Sequence, residues 1–299
     1  MSRGFHPERA PLVSAIQDVV RRPGPGLIVL HGRRGSGVST LLESSLRGLD
    51  VVRFPLPGLA DPDQRALLRQ RLSSAWPASD DEFRAVLPRT STLRAPTAVI
   101  PNPGDGPWDW DWLVASLAAR TREPDHPLVL VMEDLEHLSI RTDRFAQAVA
   151  AGWDEVRRRS ARVVLILVTR DPQVFAELAA GDSALSPLLD HRLELAPLTL
   201  QGVSGALSDW PPRDRLFAWT LLGGSPGRLA LLDRDRSIGW NLRRVLLDPA
   251  GSLHREMEDS LVRNELNQPG RYGSLLRTVA LGGNTWGRIR EAFPGEGGS

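Results

Sequence analysis

Cysteine is missing from all 299 residues, and so is lysine. The first absence excludes a disulfide framework and any thiolate metal site. The second means that all 37 positive side chains are arginine, so a cation meant for a phosphate group has to be a guanidinium. Long hydrophobic runs are lacking too. A membrane-spanning helix needs about 18 or more uninterrupted apolar residues, whereas the longest runs here are strand-sized, such as VVLILV at 163–168. Nothing near the N-terminus has the apolar run of a signal peptide, and the cytoplasm is the expected compartment. An excess of charge is absent as well: 37 cations against 36 anions leave a net charge of +1. That balance argues against a globally basic nucleic-acid coat and leaves local patches open.

With 41% hydrophobic residues, the chain can bury a core for one large or two ordinary domains. Strand-like runs alternate with helical spacing from Leu12 to Leu198: LIVLH, VVRFPL, LVLVME and VVLILVT, with the shorter HRLEL. Such alternation predicts a doubly wound parallel sheet. After about residue 200 only helical patterns follow, which predicts a separate helical lid. The stretch from Ala60 to Pro107 is rich in Pro and Arg, with one helical segment near Gln64 to Ala75. Trp108, Trp110 and Trp112 alternate with acids and read as packing anchors of a helix. The glycine-rich end FPGEGGS reads as disordered.

Ligands of parallel sheets bind where strands end at their carboxyl edge, and three motifs fall there. The first is LIVLHGRRGSGVSTLL, a strand, a glycine-rich turn and a helix start. Gly32, Gly37 and Ser39 satisfy the phosphate-loop spacing G-x-x-x-x-G-K-[ST], but its lysine is Val38. Backbone N–H groups at a helix N-terminus form an anion nest whatever side chain stands at 38. The candidate phosphate-binding residues are Gly32, Arg33, Arg34, Gly35, Ser36, Gly37, Val38, Ser39 and Thr40, and the alternative is a tight turn without a ligand. Arg33 and Arg34 precede the turn and would have to fold back to replace the lysine.

The second motif is the pair Glu133 and Asp134, in which one carboxylate can position Mg²⁺ with Ser39 and the other can polarise water. The metal candidates are Ser39 and Glu133, and the bland alternative is a pair of helix-start acids. The third is Thr169, able to sense a γ-phosphate or simply to cap its strand. Arg228, just after the break GGSP, opens a helix and can reach phosphate from the lid or lie in solvent.

In this order the motifs resemble the archaeal-type AAA+ ATPases with a DUF234-like C-terminal region, within the signal-transduction ATPases. The likeness runs through FHPERAPLVSAIQ, LHGRRGSGVSTLL, DWDWLVASLA, LVLVMEDLEHL, VLILVTRD, LSPLLDHRLELAPL, FAWTLLGGSPGRLALLD, LHREMEDSLVRNEL and YGSLLRTVALGGNTWGRIREAF. The resemblance implies a P-loop AAA+ domain over residues 1–200, a helical lid over 201–268 and a partial winged helix over 269–299. It puts Glu133 and Asp134 on the family's Asp-Glu pair, in inverted order, and Thr169 on its sensor position. It puts Arg192 within one residue of an arginine that acts on a neighbour's nucleotide. The winged helix stops before a recognition helix, so only weak nucleic-acid binding is expected.

Two functions follow. One is an ATP- or ADP-binding protein, with Mg²⁺, whose lid responds to nucleotide, whose hydrolysis is weak or absent, and which associates with itself or a protein partner. The other is a pseudo-ATPase, a non-catalytic interaction module. Retention of the glycines, Ser39 and both acids favours the first, and Val38 with the inverted acids favours the second. No membrane partner is expected.

Overall fold

A computed structural model describes residues 6–59, 127–138, 140–158, 161–256, 269–283 and 285–292, with isolated positions between 63 and 117. The tryptophans at 108, 110 and 112, residues 257–268 of one expected helix, and the glycine-rich end lie outside the described residues. The described residues gather into two compact units. One lies within Met1–Leu207 together with Gly223–Gly227, the other within Ser208–Leu222 and Arg228–Ser299.

The first unit is built on five parallel strands, β1 (Gly26–His31), β2 (Val51–Pro55), β3 (Leu128–Glu133), β4 (Val163–Thr169) and β5 (His191–Glu194), in the order β2-β3-β4-β1-β5. Every residue of β1 and of β4 is buried, as a parallel strand covered on both faces requires. Because side chains alternate along a strand, each strand feeds two core layers. Leu27, Val29, Leu130, Met132, Leu165 and Leu167 meet Phe145, Val149 and Trp153 of one helix (Thr142–Arg158). Ile28, Leu30, Val131, Val164 and Ile166 meet Ile16 and Val19 of α1 (Ala10–Arg21) and Leu41 and Leu42 of α2 (Val38–Ser45). The Thr142–Arg158 helix is α3, and α4 (Pro172–Ala179) and α5 (Leu200–Ala206) follow it.

Register decides which residues share the functional edge. His31 stands opposite Thr169 on one side and Glu194 on the other, and Pro55 stands opposite Glu133. All of these are last residues of their strands, so the expected site residues Glu133 and Thr169 end level with the glycine loop that follows His31.

The N-terminal HPER segment is tied to the chain after β5. His6 Nε2 lies 2.9 Å from the Gly202 carbonyl oxygen, the Arg9 guanidinium donates to the Ala196 carbonyl, and the Thr199 hydroxyl donates to Glu8. Later in the chain, Leu198 donates its N–H to Gly224 O at 2.9 Å, which fastens residues 223–227 to this unit.

The second unit is helical: α6 (Pro212–Leu222), the last two residues of α7 (Pro226–Leu229), whose first two belong to the first unit, then α8 (Ile238–Leu242) running into a π-helical turn at Arg243–Leu247, α9 (Pro269–Ala280) and α10 (Trp286–Ala292). Its polar centre is Asn241, fully buried, whose amide donates to the carbonyls of Asp233 and Ser237 and accepts from Asp233 N–H.

Candidate nucleotide-binding site

The loop between β1 and α2 owes its shape to its glycines. Gly35 and Gly37 have φ of +77° and +98°, a region that costs an ordinary L-residue about 1–2 kcal/mol. Gly37 thereby turns the chain into α2, whose first N–H groups, on Val38, Ser39 and Thr40, have no carbonyl within the helix to bond. The loop is moored by the Gly32 N–H donating to Thr169 O at 3.2 Å. Its apex is moored too, since Gly35 O accepts from Gly227 N–H at 2.9 Å and from Ser225 Oγ at 3.0 Å.

Side chains in the loop divide sharply. Arg33, Arg34 and Ser39 are exposed. Ser36 is 7% exposed, and among the described residues its Oγ has no hydrogen-bond partner. A Cβ placed on Gly32 would lie 2.7 Å from that oxygen and 2.5 Å from Val38 Cγ2. Val38 is half-buried and packs against the core layer of α1 and α2. An orphaned hydroxyl beside a row of unpaired N–H groups at the start of an eight-residue helix suits a phosphate, which accepts from all of them.

The acids at the edge are already engaged. Glu133 accepts from Arg53 of β2 at both oxygens, Nη2 to Oε1 at 2.6 Å and Nε to Oε2 at 3.0 Å. These bonds push the Arg53 guanidinium above its usual range against partial desolvation. Asp134 pairs with Arg170 at 2.7 Å and, with φ of +59°, is the one described non-glycine residue in the left-handed region. It stands at the N-cap of a one-turn 3-10 helix, Leu135–His137, without a capping bond from its side chain. The Thr169 hydroxyl donates to Glu136 Oε2 at 3.0 Å, and the same carboxylate oxygen takes the Arg170 N–H at 3.1 Å.

Burial pushes the Asp134 carboxyl above the usual carboxylate range, with Arg170 opposing and Glu136 and Glu133 adding to the rise. A raised value means that the folded state favours protonated Asp134. That contribution is whole below the ordinary carboxyl range and is lost as pH rises through the raised value. Asp134→Asn, which is also well suited to the left-handed region, is therefore expected to melt higher than the wild type at neutral pH. The gain should vanish as the pH falls to about 4. Thermal unfolding of the two proteins between these limits checks it; a gain that grows on acidification would refute it.

Of the residues read from the sequence, the loop, Glu133 and Thr169 come together at the carboxyl edge. Arg192, on β5, donates to the carbonyls of Ala179 and Ser186 and to Ser186 Oγ of its own chain. Arg228 belongs to the second unit, where it pairs with Glu256 at 3.2 Å. Sequence reading missed Arg53 and Glu136. The one signal for Arg53 is a lone charge inside an otherwise apolar strand, VVRFP.

A parallel sheet that carries a glycine loop from its β1 strand into a helix, with an acidic strand end beside it, is the architecture of a P-loop ATPase. The AAA ATPase domain family matches residues 6–166, more than half of the chain, and the protein belongs to that family. No curated protein matches. Among solved structures, the chain is similar to a Walker-type ATPase of Pyrococcus abyssi at 18% identity and TM-score 0.57, covering 95% of this chain and 82% of that one. It is also similar to the ORC2 protein of Aeropyrum pernix, described as ADPNP-ADP complexes, at 14% identity and TM-score 0.50, covering 97% and 81%. These likenesses show the fold. Among the described residues, no helix is long and apolar enough to cross a membrane.

Proposed function

We propose that this protein binds ATP or ADP on the Gly32–Thr40 loop, hydrolyses it weakly or not at all, and acts as a nucleotide-dependent switch or scaffold. The observation that carries the reading is the pairing of an open anion nest with acids that are not free. The loop keeps its left-handed glycines and an orphaned Ser36 hydroxyl, while Glu133 and Asp134 are each neutralised by an arginine. A carboxylate held in an arginine fork has little capacity left to orient or deprotonate an attacking water.

Residues 1–200 serve as the nucleotide domain, 201–268 as the lid and 269–299 as part of a winged helix, with Arg228 on the lid. A protein partner or a second copy reads the nucleotide state, and Arg192 acts there only if it leaves its bonds to Ala179 and Ser186. Nucleic-acid contact is weak and salt-dependent. Mg²⁺ fits less well than nucleotide, because Ser39 and Glu133, its expected ligands, are bridged by Arg53. The packing of Val38 against the core favours a second reading, a pseudo-ATPase that binds partners without nucleotide.

Thermal unfolding with ATP or ADP separates the two. A ligand of the folded state at a hundred times its Kd adds about 2.7 kcal/mol, so a rise in Tm of several degrees at millimolar nucleotide is expected. An unchanged Tm, together with no change in fluorescence anisotropy of a labelled ATP analogue, selects the interaction module.

A further inference from the structure

In a phosphate loop of this kind the hydroxyl after the lysine position sits on a divalent cation, and the carboxylate that ends a neighbouring strand holds the same ion. Here those groups are Ser39 and Glu133, and a side chain bridges them. Arg53 Nη2 lies 2.6 Å from Glu133 Oε1 and 3.5 Å from Ser39 Oγ, while Nε closes the fork on Oε2 at 3.0 Å. The strand register makes this reach natural: Pro55 is level with Glu133, so Arg53 starts two residues below the edge on the adjoining strand and extends along it to the carboxylate. Glu43 of α2 adds negative charge to the same surroundings.

From this geometry we infer that the Arg53 guanidinium takes the place of the divalent cation, so that the loop binds nucleoside di- and triphosphates without Mg²⁺. The inference rests on the loop being a nucleotide site. Guanidinium is charged at every physiological pH and matches phosphate oxygens with a planar fork of donors. Among the described residues Nη1 has no partner, which leaves donors beyond those spent on Glu133. To enter, Mg²⁺ would need a near-octahedral shell at about 2.0–2.1 Å and would have to displace a cation from a bidentate carboxylate. The exchange is consistent with the weak hydrolysis proposed above, because a guanidinium neutralises phosphate charge but offers no ligand positions to fix water or the bridging oxygens.

The test is calorimetric titration of the full chain with ATP and with ADP, in EDTA and in excess Mg²⁺. The wild type is expected to give equal affinities in both buffers. Arg53→Gln is expected to bind about ten- to a hundredfold more weakly in EDTA, the value of one charge-assisted contact, and to regain affinity when Mg²⁺ is added, since Glu133 is then free. Glu133→Gln, which releases the guanidinium, is expected to bind at least as tightly as the wild type in EDTA. A merely structural Arg53 would weaken binding equally in both buffers. Should Arg53→Gln not fold, the wild type and Glu133→Gln decide. Wild-type binding that appears only with Mg²⁺ overturns this inference and leaves the nucleotide site standing; no binding in either buffer overturns both.

Discussion

Val38→Lys is expected to tighten ATP binding by about ten- to a hundredfold, the range of a new charge-assisted hydrogen bond, and to tighten ADP less. The γ-phosphate is the reason for the difference, because it brings added negative charge to where the ammonium would lie. Val38 packs over Gly32 and against the layer formed by Ile28 and Leu30. The lysine stem can cover the same apolar surface while its head group snorkels outward, so the unliganded variant should lose no more than about 1.5 kcal/mol of stability for the change of shape. Phosphate release should stay low in both proteins, since Arg53 and Arg170 still hold the two acids. Titration of ATP and ADP into both proteins, with thermal unfolding as the control for folding, gives the answer. A variant that folds normally yet shows no preference for ATP would mean that the loop is not a nucleotide site.

The larger effect on stability belongs to Gly224→Ala. At φ +66° a Cβ there would stand 2.3 Å from the Leu198 carbonyl oxygen and 3.0 Å from Leu198 N, both backbone atoms that no rotamer change can move. The left-handed conformation costs about 1–2 kcal/mol and overpacking about 1–3 kcal/mol more, so a loss of roughly 2–5 kcal/mol is expected. That is a large part of the stability of any domain. Gly223→Ala is the matched control. Its φ is +68° but nothing lies within 4 Å of its Cβ, so it should lose only the conformational part. Denaturant unfolding of the two variants measures the difference. Equal losses would show that residues 223–227 do not sit tightly against the strand-end segment at Leu198.

The sheet and the loop were readable because their determinants are local. An apolar run followed by glycines at fixed spacing specifies β1 and its turn, and the seven residues of VVLILVT, short and rich in β-branched side chains, suit a strand buried on both faces. The strand-end positions of Glu133 and Thr169 were readable for the same reason, as the polar ends of such runs. Arg53 was not, because its meaning lies in a carboxylate 80 residues away, and only the pairing of β2 with β3 brings them together. Glu136 is likewise hidden, one more acid in EDLEHL until the fold turns it towards Thr169. The solvent-facing partners of Arg192 also follow from tertiary structure: its strand runs beside the 179–186 segment, and its donors are used there. The relation of residues 223–227 to the loop apex was equally invisible, since GGSPG reads locally as a break between helices.

That last contact sets a timetable for biosynthesis. The Gly35 carbonyl waits for Ser225 Oγ, 190 residues further along the chain. At the usual rate of about 5–20 residues per second, the partner leaves the ribosome roughly 10–40 s after the loop does. During that interval β1 and α2 are present, but the apex of the loop has an unpaired carbonyl, and Leu198 follows with an N–H awaiting Gly224. The first unit is therefore not closed when its last strand is synthesised. It closes only when part of the helical unit has been made, so a released chain that ended near residue 207 would hold all five strands with the apex of its phosphate loop still unfastened.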